Sequence, residues 1–408
     1  MKICLSHIKT RLCEIFFDGA EQAISKVVIL FGGDPRLSPR RQQASSLRFE
    51  QACLNKPGVN PMKASWILAT LIVVASSFSS VRAEDGAWRM AKPMPVAQSE
   101  NSSAVTGDRW YIIGGINVPL TAPVGSVVVY DAKADSWSQV KDMPMPAHHT
   151  ATVGLDGKIY VFGGFVGTPG ARQWQPIADA FSYDPKNDTW AKLAPMPTAR
   201  GSAQAVALNG KIYVLGGAHT HDHGREMKEP LWAGVPNIVG TTAEEYDPAT
   251  NTWRECAPMQ VERNHFLAAA VNGEIYAIDG RVGLPFVTKS DVTDLVEAYN
   301  PKTDSWTFKS RSPTRRGGVS GAAYNGKIYV TGGEYQDPEG KHTFWAFESY
   351  DPATDTWQTL PHMQIARHGF VAGFIGNEFH VAGGSFQSDG MPGINAQMDT
   401  HEVFAVAK

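Results

Sequence analysis

Cysteine is scarce. The 408 residues hold four, and three of them, Cys4, Cys13 and Cys53, fall in the first 61. Cys256 stands alone in the rest, so an exported fold has no intrachain disulfide and must be held by packing. Long apolar runs are scarce as well. The stretch from Trp66 to Ala75 is too short for a comfortable membrane span. No P-loop, dinucleotide fingerprint or serine-elbow motif occurs, so common signatures of nucleotide binding and serine hydrolysis are missing. Basic charge is thin beyond the N-terminal segment. Residues 1–83 hold 11 of the 37 Lys and Arg and 5 of the 40 Asp and Glu, which leaves 26 against 35 and a net of −9. That balance disfavours nucleic acid as a partner.

What the chain does have is a period. Trp88, Trp137, Trp190, Trp253, Trp306 and Trp357 are each followed, 26 residues on, by a small pair. The pairs are Gly114-Gly115, Gly163-Gly164, Gly216-Gly217, Asp279-Gly280, Gly332-Gly333 and Gly383-Gly384. A Tyr, or His380 in the last copy, sits three residues before each pair. A second interval is equally constant: Tyr130, Tyr183, Tyr246, Tyr299 and Tyr350 each precede a Trp by seven. All length variation therefore falls between the pair and the second Tyr. Repeats of this length indicate a propeller or solenoid. Each unit reads as four short strands. In the third copy Ala203 to Leu208 ends at Asn209-Gly210, a two-residue hairpin signal,. Asp247-Pro248-Ala249-Thr250-Asn251 marks the turn into the Trp strand,.

The glycine pair, the Tyr-Asp-Pro turn, the Trp and a Met-Pro-x-Ala-Arg element (Met196 to Arg200, and as a variant Met363 to Arg367) together resemble the kelch repeat. The resemblance covers residues 88 to 405 and implies an all-β, six-bladed kelch β-propeller with a four-stranded sheet per blade. Glu402-Val403-Phe404 matches the third strands Glu244-Glu245-Tyr246 and Glu348-Ser349-Tyr350, and no Trp strand follows it. The strand around Trp88 should therefore complete the C-terminal blade and remove an open edge.

Upstream of the repeats, Met62-Lys63, the apolar run and Val81-Arg82-Ala83 follow the grammar of a secretory signal peptide cleaved before Glu84,. The expected organisation is a non-native or disordered leader over 1–61, a signal peptide over 62–83 and a propeller over 84–408. The mature chain then lies in the periplasm or outside the cell, without a stable membrane span.

In an up-and-down sheet, the loop from the second strand to the third shares one face with the connection between blades. That loop is the variable one, so the ligand face is expected there. Sixteen residues before the pairs lie Gln98, Ala147, Arg200, Arg263, Arg316 and Arg367, and just after two pairs lie Arg281 and Glu334. Arginines ringing a channel mouth would suit a carboxylate, phosphate or acidic peptide, although a residue recurring with the repeat can equally hold blades together. Histidines form a second candidate set: His148, His149, His265 and His368 before first strands, and His219, His221 and His223 in the longest loop. Such imidazoles can share a divalent metal, or be unrelated groups on a solvated loop. No other cofactor is implied. Among aromatics in the variable loops, Trp174, Trp232, Phe286, Trp345 and Phe386, the best contact candidate is Trp232; Trp345 and Phe386 are equally read as packing on their own blades,. Asp279, where other blades have glycine, reads as an acid, base or ligand, or as a local ion pair,.

The resemblance also bears on activity. Galactose oxidase, similar in its propeller, needs a Tyr-Cys crosslink that Cys256 alone is poorly placed to supply. The Glu-x3-Asp-x3-His spacing of plant specifier proteins is absent. The bacterial N-acetylneuraminate epimerases are similar in architecture, export and channel-mouth arginines. That likeness implies a Glu-type base, for which Glu100, Glu262 beside Arg263, and Glu334 are candidates. Three readings stand: a binding module for a protein or acidic saccharide at the channel mouth, a sugar mutarotase or epimerase, and a metal-dependent enzyme using the histidines of blades two to four. Mass spectrometry of the native protein tests the expected start at Met62: no peptide from Arg48 to Lys56 should appear, and finding one overturns it.

Overall fold

A computed structural model of the chain describes residues 86–117, 122–167, 174–220, 238–284, 290–337, 340–388 and 396–406. The chain divides into two units, Met1–Arg82 and Ala83–Lys408. The first, with the expected leader and nearly all of the expected signal peptide, lies outside the described residues. The described residues of the second are all-β. Among the described residues no helix is long and apolar enough to cross a membrane.

Six four-stranded antiparallel sheets form the blades. Blade three shows the pattern: Gln204–Leu208, Lys211–Leu215, Ala243–Asp247 and Thr252–Glu255, paired in sequence order. The hairpin between its first two strands turns on Asn209 and Gly210, both with positive φ (53° and 75°). This is the geometry that right-twisted strands require of a two-residue turn. The six innermost strands touch in cyclic order, the last against the first. Closure follows the expectation: Trp88–Ala91 pairs antiparallel with His401–Ala405, in register from Trp88 opposite Phe404 to Ala91 opposite His401. Blade six is therefore built from both ends of the repeat region.

The constant Tyr-to-Trp interval has a physical cause. Tyr183 and Trp190 face each other across the hairpin of the third and fourth strands. The Tyr183 hydroxyl donates to Asp188 Oδ1 at 2.7 Å. The same oxygen accepts the N–H of Lys141 from the preceding blade at 2.9 Å. The Trp190 indole N–H donates to the carbonyl of that same Lys141 at 3.0 Å. The arrangement recurs with Trp137 on Lys92, Trp253 on Ala194, Trp306 on Ala257 and Trp357 on Ser310. At these five junctions one residue is thus gripped at both its N–H and its C=O by the next blade's hairpin, while at the sixth Trp88 holds only the carbonyl of Pro361, at 2.7 Å, since proline has no N–H,.

The glycine pairs form the junction on the opposite face. A Cβ on Gly163 would lie 2.3 Å from the carbonyl oxygen of Arg200 in the next blade. The amide of Gly164 donates to that same oxygen at 3.0 Å. Asp279 occupies the equivalent position in blade four at φ 59°. Its carboxyl is fully buried, bonded by the Ser312 hydroxyl and 3.5 Å from Arg316 Nε. Burial pushes it up to about 7, against the lowering pull of Arg316 and Ser312. Asp279 is therefore part of the junction, in keeping with the local ion pair.

Arg200, Arg263, Arg316 and Arg367 also sit elsewhere than the ligand reading requires. All four are completely buried. Each pairs with a glutamate on the third strand of its own blade: Glu244, Glu297, Glu348 and Glu402. They also donate to backbone carbonyls, such as Arg200 Nη2 to Val214 at 3.0 Å and Arg367 Nη1 to Gly383 at 2.9 Å. The glutamates are further satisfied by neighbours, as Glu244 is by the Thr198 hydroxyl at 2.8 Å. Where the arginine is missing, so is its partner: Gln98 goes with Val128, and Ala147 with Phe181. The pair is present or absent as a unit because one buried charge without the other is costly.

Two outcomes follow. Arg200→Ala strands the Glu244 carboxylate and should cost about 3–5 kcal/mol, while Arg200→Ala with Glu244→Phe, copying blade two, should recover most of that in thermal unfolding. Asp279 has a folded pKa of about 7, raised above its ordinary 3.8. Its stability contribution is therefore full below the unfolded value and lost as pH rises through 7. The melting temperature of Asp279→Asn should thus gain on the unsubstituted protein between pH 5 and pH 8; parallel curves would show no such titration.

Candidate functional site

The polar side chains that converge do so two residues after the arginine position. There the chain enters each innermost strand in a left-handed conformation: Glu100 (φ 56°), His149 (54°), Ser202 (54°), His265 (52°), Gly318 (66°) and Gly369 (60°). Asn and His enter this region more readily than most residues, and glycine most easily. Main-chain hydrogen bonds link these residues from blade to blade. Glu100 N–H donates to Gly369 O at 2.7 Å, His149 to Glu100 at 3.0 Å, Ser202 to His149 at 2.9 Å, His265 to Ser202 at 3.3 Å and Gly318 to His265 at 2.7 Å. The result is a girdle of backbone at one end of the central channel. Beneath it the innermost strands enclose a cavity of about 450 Å³ lined largely by small residues.

Four blades put side chains with charge or imidazole into the girdle region beside Glu100, forming a circuit. Glu100 Oε2 lies 2.8 Å from His149 Nε2, and Oε1 lies 3.6 Å from His368 Nε2. His368 Nε2 is also 3.6 Å from Glu334 Oε2. Glu334 pairs with Arg281. Arg281 Nη1 is 3.4 Å from His265 Nε2, and the His265 ring returns to His149 with centroids 4.7 Å apart. Glycine at 369 makes room for this, since a Cβ there would meet the Glu100 carboxylate at 2.5 Å. Outside the circuit, Trp174 packs on both His148 and His149, with centroids 4.8 Å apart in each case.

The charge states follow from burial and neighbours. Burial alone would raise Glu100, but His149, and beyond it His368 and His265, hold its carboxyl well below the usual range, so it is ionised,. Burial, then Arg281 and His149, pushes His265 well below its ordinary value, and burial with His149 does the same to His148. Both are neutral at pH 7. With its carboxylate and neutral imidazoles, the mouth suits proton exchange, hydrogen bonding to a polar group or cation binding.

Of the residues singled out in the sequence, Glu100, Glu334, Arg281, His149 and His265 meet here, with His148 behind His149. His219 is half-buried on the short strand Ala218–His219 and is not grouped with the others. Glu262 is exposed, its Oε1 accepting the Gly283 N–H at 3.1 Å on the rim. Trp232, His221, His223 and Phe286 lie outside the described residues. Trp345 and Phe386 are exposed (55% and 47%), although one face of the Trp345 ring stacks on His362 at 4.8 Å. His368, noted before the sixth first strand, joins the circuit as well, whereas nothing in the sequence pointed to Ser202. The signal that finds the girdle is the position 14 residues before each glycine pair, where the arginines had drawn attention to 16.

Comparison with known proteins agrees with this architecture. The KLHDC2/KLHL20/DRC7 Kelch-repeats domain matches residues 73–228. Kelch motifs match 199–260, 262–311 and 315–364. Kelch-like protein terF of Aspergillus terreus is 28% identical over 297 residues, 70% of this chain and 61% of that protein. Kelch-like protein 36 of Rattus norvegicus is 29% identical over 224 residues, 54% of this chain and 33% of that one. The chain thus spans from a third to about three-fifths of the length of these relatives. The solved structure of YjhT superposes with a TM-score of 0.60 at 18% identity, covering 76% of this chain and 95% of that one, a likeness of fold. Six blades carrying the repeat in register and these matches make the chain a member of the kelch-repeat β-propeller family.

Proposed function

We propose that this chain is an exported kelch propeller that docks a protein partner on the face carrying the glycine-pair loops. Kelch propellers are generally protein-binding modules, and the signal-peptide pattern from Met62 to Ala83 supports export,. The observation that carries the reading is the placement of exposed apolar side chains. Val96, Leu284, Trp345 and Phe386 are all exposed. They belong to blades one, four, five and six, which are consecutive around the ring, and to the connections of one face. The Thr343 hydroxyl donates to the Phe386 carbonyl at 3.1 Å, tying two of these loops together. Exposed aromatics beside polar groups are typical anchors of protein interfaces.

An acidic saccharide fits less well. Four of the five arginines proposed for it are sealed inside blades, and Arg281 is already engaged by Glu334. The epimerase-type reading loses its sugar-carboxylate partner for the same reason.

A photoreactive residue placed at 345 or 386 should crosslink to a cell-envelope protein in producing cells. The same residue at Phe308, which is exposed on an outer strand, should not. Combining Trp345→Ser with Phe386→Ser should cut partner capture at least about tenfold without moving the melting temperature. Equal crosslinking at 308, or none at 345 and 386, sinks the reading.

A further inference from the structure

We propose that the channel mouth binds a divalent transition-metal ion through a carboxylate oxygen of Glu100 and the Nε2 atoms of His149 and His265. One ligand atom from each residue lies within 4.8 Å of the other two. The three come from blades one, two and four, so no local spacing in the sequence announces them. They share the same left-handed girdle position and the same chain of main-chain hydrogen bonds. The ligands therefore stand on rigid backbone, as a metal site needs.

Hydrogen bonding behind the ligands orients two of them. His265 Nδ1 contacts Asn264 Oδ1, which can only accept. Nδ1 must carry the proton, so His265 Nε2 presents a lone pair. That atom lies 3.4 Å from both Ser202 Oγ and Arg281 Nη1, each able to donate to it in the metal-free protein. His149 Nδ1 is 2.5 Å from His148 Nδ1, a contact that holds one proton between two nitrogens. In the metal-free protein His149 Nε2 faces Glu100 Oε2 at 2.8 Å, the contact an ion would replace; with the shared proton on Nδ1, Nε2 then presents a lone pair to that ion,. Neighbouring Trp174 and Phe165 shield this side.

The surrounding charge favours a cation. Glu100 and Glu334 contribute two negative charges and Arg281 one positive. Two imidazoles and one carboxylate suit zinc, iron(II), cobalt or nickel better than magnesium or calcium, which prefer all-oxygen shells. Three protein ligands leave positions open toward the cavity beneath, where Ser202 is near enough to hold a bound water. This inference stands apart from partner docking, since the girdle and the exposed rim residues are different groups.

The test uses the full mature chain without a histidine tag, stripped with chelator and titrated with cobalt(II) alone. One ion per chain should bind with micromolar or tighter affinity, giving visible d–d absorption that zinc abolishes. Glu100→Gln and His265→Gln should each weaken binding at least about 100-fold. His221→Ala with His223→Ala should leave it unchanged. Electron spin-echo spectroscopy of the copper(II) form of the unsubstituted protein should count two imidazoles, a readout independent of whether the variants fold. Absence of binding below millimolar cobalt, loss of binding in the loop variant, or a copper spectrum without imidazole overturns the proposal.

Discussion

The whole ring depends on a grip that each blade takes on a single residue of the one before it. The indole N–H of Trp190 holds the carbonyl of Lys141, and Asp188 holds its N–H while receiving the hydroxyl of Tyr183. Because both gripping groups ride on one hairpin, that hairpin cannot lengthen without losing one of its two contacts. The opposite junction has the same character, with the glycine pair pressed against the next blade's carbonyl where a side chain has no room. Only the stretch from the glycine pair to the third strand escapes both constraints. All the irregular length of the repeat region is found in that interval of the sequence.

Once the blades are fixed to each other, their entry segments must meet around the axis. The left-handed residues of successive blades bond amide to carbonyl in a girdle. Side chains from blades one, two, four, five and six then form a circuit of opposite and neutral charges. Every member but the partly exposed Glu100 is buried, and each is tolerable there only because its neighbours complement it,. The same rule governs the blade interiors. Buried arginine and glutamate occur together in four blades and are replaced together in the other two, so the recurring arginine belongs to architecture.

Much of the fold was legible in the sequence. The six Trp-to-pair intervals, the Asn-Gly type turns and the unpaired third strand at Glu402 are local features, and the chemistry of a turn or a close approach acts over a few residues. The site was legible only in parts. Glu100, Glu334, Arg281, His149 and His265 each stood out, but in three separate roles, as bases, anion ligands and metal ligands. The arginines drew attention because they recur. Their glutamate partners, two residues before each repeat Tyr or its equivalent Phe404, lie far along the chain and are seen as partners only when the sheet is folded.

The sequence alone determined the number of blades, the closure by the first strand and the interval of each repeat in which length varies, since these follow from fixed spacings and backbone stereochemistry within each repeat. Which polar groups meet at the mouth, and which are sealed away from it, was decided by tertiary structure. A shift of two residues along an entry segment turns a side chain from the blade interior to the channel axis, and only the summed rotations of six blades bring Glu100, His149 and His265 to the same point.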